Sequence, residues 1–205
     1  MYLYPKWIRA WHLINAVLFL ILIVTGLSMQ YTDKENLSYV VGFAKAVKWH
    51  NFAALVLTIN YIIFVTGNLI TRNGRYYRIS KENFLSDLVK QLKYYSWGMF
   101  KGEKHPFPVT VESKFNPLQK ITYVLAMYVA VPLLVISGIG LLFPEITLTR
   151  FFGISGLLLT DILHITMGFF LSIFMVIHIY TCTLGAKPTS LFWGMISGYH
   201  RSDEH

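Results

Sequence analysis

Residues 157–184, LLLTDILHITMGFFLSIFMVIHIYTCTL, decide the fold. A helix of about 20 mostly apolar residues crosses a bilayer, and this run exceeds that length. Yet it carries two histidines, His164 and His178, 14 positions apart. Fourteen residues make just under four helical turns, so both rings leave nearly one face, about 21 Å apart along the axis. Three further runs share this character, at about 7–29, 46–70 and 118–143. The whole chain agrees with them. Of its 205 residues 55% are hydrophobic and only 14% charged, against about 25% charged in soluble domains, and its mean hydropathy is +0.50. These patterns predict an all-α, integral-membrane four-helix bundle forming one transmembrane domain over residues 1–205. A long polar connection, at about 71–117, joins the second and third spans. It holds an amphipathic helix expected from about Glu82 to Tyr95, then the breakers Pro106 and Pro108. The first apolar run reads as a span rather than a cleavable signal peptide, being of spanning length without a clear small-residue cleavage site.

The basic residues orient the bundle. Lys6 and Arg9, ten lysines and arginines from Arg72 to Lys120, and Lys187 and Arg201 fall on one side, fourteen in all. Lys34, Lys45, Lys48 and Arg150 fall on the other. Basic loops stay in the cytoplasm, so both termini and the long connection are expected there, in the inner membrane of a prokaryote. The net charge of +8 is then a topology signal, and no nucleic-acid partner is implied. Tyr4, Trp7, Trp11, Trp49, Tyr180 and Trp193, near the span ends, fit an interfacial aromatic belt.

His105, His200 and His205 lie in polar segments and read as solvated surface residues. His12, His50, His164 and His178 lie inside the spans, where an ionisable side chain is costly and usually functional. A plain interhelical hydrogen bond is the alternative for any one of them. Depth separates the four into two pairs. With the first span entering from the cytoplasm and the second from outside, His12 matches the level of His178, and His50 that of His164. Two imidazoles facing each other can ligate a haem iron on both axial positions, leaving no open site. Structural zinc wants four clustered ligands, and two separated pairs do not supply them. Two haem b groups are therefore expected, on His12 and His178 near the cytoplasm and on His50 and His164 near the outside. Lone Cys182 and the absence of Cys-x-x-Cys-His argue against an internal disulfide or covalent haem attachment. Gly26, 14 residues after His12, sits at the outer level, and Gly67 near the inner level; each either clears space for a porphyrin or serves ordinary helix packing. Lys6, Arg9, Lys187 and Lys48 are candidates to meet haem propionates or are topology anchors. Asp161, one turn before His164, reads as a helix-start carboxylate or, as the alternative, steers a proton or a haem ligand. Pro132 is expected to bend the third span.

The stretch Arg9-Ala10-Trp11-His12-Leu13-Ile14-Asn15-Ala16, the run Lys48-Trp49-His50-Asn51 and the His164/His178 spacing resemble one family over nearly the whole chain. It comprises the b-type dihaem cytochrome subunits of respiratory formate dehydrogenases (the gamma subunit), nickel–iron hydrogenases and thiosulfate reductases. The resemblance implies a membrane anchor that exchanges electrons with a quinone, menaquinone or ubiquinone. In the formate dehydrogenase subunit the quinone lies by the cytoplasmic-side haem, beside an Asn-x-x-Gln stretch. Lys114-Phe115-Asn116-Pro117-Leu118-Gln119-Lys120 is similar, which makes Asn116 and Gln119 quinone-binding candidates; Pro117 and Leu118 depart from the small residues of the family pattern. Asn116 followed by Pro117 is equally a helix N-cap and first-turn pair.

The leading expectation is an electron-transfer subunit, not catalytic alone, of a complex with quinone reductase or quinol oxidase activity. Its partner would be an extracytoplasmic or peripheral iron–sulfur or multihaem subunit, since this chain lacks cysteines for a cluster. A stand-alone transmembrane haem reductase and a non-haem proton channel are the alternatives.

Overall fold

The computed structural model describes residues 1–32, 40–79, 83–185 and 187–200. Lys34, Lys81, Glu82, Arg201 and His205 lie outside the described residues.

Four long helices follow the four apolar runs. Helix α1 spans Lys6–Tyr31 and α2 spans Phe43–Ile70. Helix α3, Phe84–Lys93, is the amphipathic element of the polar connection. The third span, Pro117–Leu142, comprises α4 (Pro117–Leu125), a π turn (Ala126–Ala130) and α5 (Val131–Leu142). A two-stranded hairpin, β1 (Arg150–Phe151) and β2 (Ile154–Ser155), precedes α6, Gly156–Cys182. Helix α7, Ser190–Ser197, closes the described chain. Lipid offers no hydrogen-bond partner to the backbone, so each apolar run satisfies its own amides as helix. The four helices are long and apolar enough to cross a membrane, and the chain is a multi-pass membrane protein.

Sequence details explain where the helices begin and bend. Asn116 caps α4 through a full capping box: its Oδ1 accepts from Gln119 N at 2.9 Å, and its own N–H donates to Gln119 Oε1 at 3.1 Å. Pro132 has no amide hydrogen to donate to the carbonyl four residues back, and its ring crowds that carbonyl. The chain answers with the wider π turn immediately before it, a recognised way to kink a helix. Tyr128, on that turn, accepts from Asn68 Nδ2 at 3.1 Å.

Helix α1 packs on α2, and α5 on α6. Trp11 and Asn60 stitch the first pair: Trp11 Nε1 donates to Asn60 O at 3.0 Å, and Asn60 Nδ2 to Trp11 O at 3.3 Å. Trp11 is buried and stacks on Phe64 with ring centres 4.3 Å apart. It is therefore a core residue and not part of the interfacial belt, because its ring points across to α2. Trp49, Tyr180 and Trp193 are exposed, as the belt requires.

The first described residues meet the last. Leu3 N and Tyr4 N donate to Gly198 O, His200 N donates to Met1 O, and Tyr2 bridges Tyr199. Gly198 turns with φ 87°, and a Cβ there would lie 2.7 Å from the Tyr2 ring. Lys114, from the polar connection, joins this clamp: Nζ donates to Leu3 O at 2.6 Å and sits 4.1 Å from the Tyr76 ring centre. Burial lowers the Lys114 pKa, against the opposing pull of Tyr76.

Candidate functional site

Two pairs of imidazoles face each other across the bundle. His50 on α2 and His164 on α6 have ring centres 6.2 Å apart, inclined at 66°. His12 on α1 and His178 on α6 have ring centres 6.1 Å apart, inclined at 60°. The structure thus brings together the residues paired by depth. Among the described residues no three His, Cys, Asp or Glu side chains cluster for a metal ion.

An apolar layer separates the pairs. Leu171 lies midway between His164 and His178 and is buried with Ala126, Ala130 and Val131. Phe19, Tyr61, Met127 and Phe174 pack around it. Beyond Leu171, only Gly156 of α6 is buried.

The surroundings of the two pairs differ. Around the first, Thr25 Oγ1 lies 2.9 Å from His50 Nδ1, and Ser137 Oγ lies 3.0 Å from His164 Nδ1. Gly26 and Gly138 follow these hydroxyl residues in sequence. A Cβ on Gly26 would lie 3.6 Å from His50 Cε1, and one on Gly138 would lie 3.1 Å from His164 Cε1. Around the second pair the neighbours are aromatic. Phe174 stacks on His178 at 14°, with centres 5.8 Å apart, and Tyr123 meets the same ring edge-on at 5.8 Å.

Residues 3–198 match the prokaryotic cytochrome b561 family. The chain belongs to that family. It is also 38% identical over 204 residues to the "Putative cytochrome YdhU" of Escherichia coli (strain K12), covering 98% of this chain and 74% of that protein. No solved structure matches it significantly. Membership makes this a membrane protein that binds b-type haem and serves transmembrane electron transfer, which decides against the non-haem channel.

The histidine geometry fits the family's cofactor. A ligating imidazole nitrogen sits about 2 Å from its metal and about 1 Å from its own ring centre. Two imidazoles that would hold one haem iron between them would have ring centres about 6 Å apart, the separation found in both pairs.

Other expectations resolve as follows. Gly26 lies at the level of the His50/His164 pair, against the His50 ring. Gly67 takes the helix-packing alternative: a Cβ there would lie 2.7 Å from Trp7 Cζ3. Asn116 and Gln119 stand together at the start of α4, and Asn116 Nδ2 also donates to Tyr95 OH at 3.0 Å. Burial pushes the Tyr95 phenol up, against the Asn116 amide, which favours the phenolate. Burial, with the Tyr128 and Tyr4 phenols adding to it, also raises Tyr77, which packs on Phe64, Phe115 and Tyr128. Arg9 donates to Ile196 O, which ties α1 to α7, and its Nε is buried without a partner among the described residues. His105 is exposed and rests on Tyr94; His200 enters the terminal clamp through its backbone.

Sequence reasoning missed Thr25, Ser137, Gly138 and Gln91. Gln91 is fully buried on α3, and neither of its amide atoms has a partner among the described residues. A hydroxyl followed by glycine, at 25–26 and again at 137–138, was the available signal.

Proposed function

We propose that this chain is the dihaem cytochrome b subunit of a respiratory oxidoreductase, carrying electrons between a partner redox subunit on the outer side and a quinone on the cytoplasmic side. The observation that carries the reading is the two-level arrangement of His50 with His164 and His12 with His178, one pair toward each end of α6. Haem iron, cycling between ferrous and ferric states, supplies the one-electron chemistry. The histidines hold the groups at two depths, and the layer around Leu171 keeps water from the space between them. The Trp11–Asn60 stitch fixes α1 to α2, and so fixes His12 relative to His50. At the His12/His178 level, Asn116 and Gln119 offer amides to a quinone carbonyl, and Gln91 adds a donor and an acceptor from α3, which packs on α4.

Haem stoichiometry tests the reading. The purified protein is expected to contain two b-type haems. His12→Ala and His178→Ala each remove one and the same haem; His50→Ala and His164→Ala remove the other. Depletion of a single shared centre by His12→Ala and His50→Ala overturns the pairing. Co-purification of an iron–sulfur or multihaem subunit supports the respiratory complex, whereas full reductase activity of the isolated chain favours the stand-alone reductase.

A further inference from the structure

Each hydroxyl beside the His50/His164 pair has backbone carbonyls within reach of its one proton. A hydroxyl carries one proton and can accept with its lone pairs. Thr25 Oγ1 directs its proton within α1, to Ile21 O at 2.7 Å, with Leu22 O at 3.2 Å. Ser137 Oγ does the same within α5, to Leu133 O at 2.7 Å and Leu134 O at 3.1 Å. With those protons committed, each oxygen meets the imidazole as an acceptor. The proton in the 2.9 Å and 3.0 Å contacts therefore belongs to Nδ1 of His50 and of His164. Both hydroxyl residues are buried, so water does not compete for the bond. Each Nδ1–H tautomer leaves Nε2 with its lone pair in the ring plane, as a metal ligand needs.

The same device occurs twice, on different helices. Thr25–Gly26 of α1 meets His50 of α2, and Ser137–Gly138 of α5 meets His164 of α6. In each the hydroxyl takes Nδ1 while the following glycine gives the Cε1 edge room to approach. The other pair is built differently. Among the described residues neither His12 nor His178 has a hydroxyl on its ring, and the polar neighbour of His178 is Cys182 Sγ, 3.9 Å from Nε2.

We propose that Thr25 and Ser137 are positioning residues for the haem held by His50 and His164, fixing both imidazoles as Nδ1–H tautomers and making both more electron-donating toward the iron. The proposal rests on the two-haem ligation reading above. A hydrogen bond from Nδ1–H raises the basicity of the ligating nitrogen, which stabilises the ferric state. Removing the acceptor therefore makes that haem easier to reduce.

The experiment is a potentiometric titration of the alpha band in purified Thr25→Val, Ser137→Ala and the double variant, with Thr25→Ser as the control that restores the hydroxyl. Each single variant is expected to favour reduction of one haem by about threefold to tenfold, where tenfold is ~59 mV for one electron. The shifted haem is the one that His50→Ala removes, the double variant shifts it further, and Thr25→Ser titrates as the parent. Loss of that haem in Thr25→Val with recovery in Thr25→Ser also supports the role. Unchanged potentials in both single variants, a shift confined to the His12/His178 haem, or equal damage in Thr25→Val and Thr25→Ser overturns it while leaving the ligation reading intact. A parent protein with fewer than two haems, or a His50→Ala variant that titrates as the parent, overturns both.

Discussion

At the residue scale, three glycines show how much a missing methyl matters in a helix that must approach another group. Replacing glycine by alanine inside a helix gains up to about 1 kcal/mol of helix propensity, and crowding a packed neighbour costs about 1–3 kcal/mol. The balance differs at each position. A Cβ on Gly26 meets His50 Cε1 at 3.6 Å, an ordinary contact. At Gly138 the distance to His164 Cε1 is 3.1 Å, so the ring must yield by a few tenths of an ångström. At Gly67 it is 2.7 Å to the Trp7 ring, which has no flexible end to swing aside. Gly138→Ala is thus expected to change the potential and line shape of the His50/His164 haem, and Gly26→Ala to change them less. Gly67→Ala is expected to spare both spectra but lower the melting temperature in detergent. A change in Gly26→Ala as large as in Gly138→Ala would put the porphyrin itself against Gly26. These positions also mark what could be read from residues alone. The four histidines were legible because a titratable ring in a span is conspicuous and helical rise fixes its depth. Thr25 and Ser137 were not: hydroxyls inside helices commonly bond back to their own backbone. Their second contact exists only once α1 lies beside α2 and α5 beside α6. Sequence leaves Gly67 between porphyrin clearance and helix packing, since rise along an axis does not say which way a residue points; the Trp7 ring against it is the packing reading.

At the element scale, the start of α4 combines a structural role with the proposed quinone role. Asn116 and Gln119 complete a capping box, and loss of an Asn cap costs about 1 kcal/mol. Asn116→Ala therefore affects stability and turnover together and cannot separate the two. Gln119→Glu can. Glutamate at the third helical position still accepts from the cap residue's N–H, as in the capping box itself, but it removes the amide donor. Thermal stability and both haems are expected to be retained while quinone-linked turnover falls severalfold. Turnover equal to the parent would leave Gln119 a capping residue alone. The box was readable from Asn-Pro-x-Gln. The π turn was readable only as a bend at Pro132, because sequence marks the missing amide and not how the backbone redistributes the lost bond. Helix α7 escaped notice: its Ser190–Ser197 run is too short to span, and its exposed Phe192, Trp193 and Ile196 resemble a loop until they are seen coiled.

At the scale of the whole molecule, sidedness joins the fold to the direction of electron flow. The first residues, the stretch after α7 and Lys114 of the polar connection meet in one clamp, so they share one face of the bundle. The β1–β2 hairpin joins the opposite ends of α5 and α6. The structure therefore says which segments share a side, and the lysines and arginines predict which side is cytoplasmic. Cytoplasmic loops carry an excess of lysine and arginine, so the basic face is the one expected in the cytoplasm. Single cysteines at Lys101, Lys187 and Arg150, in a Cys182→Ala background, test this with a membrane-impermeant maleimide. All three positions are exposed. In inside-out vesicles the cysteines at 101 and 187 are expected to react and the one at 150 to be protected; right-side-out vesicles reverse the pattern. Reaction of 101 and 150 from the same side would contradict the four-span path. Agreement between 101 and 187 with the opposite polarity would keep the path but turn the bundle over. The His12/His178 level, Asn116 and Gln119 would then face outward, and a quinone drawing its protons there would take none from the cytoplasm.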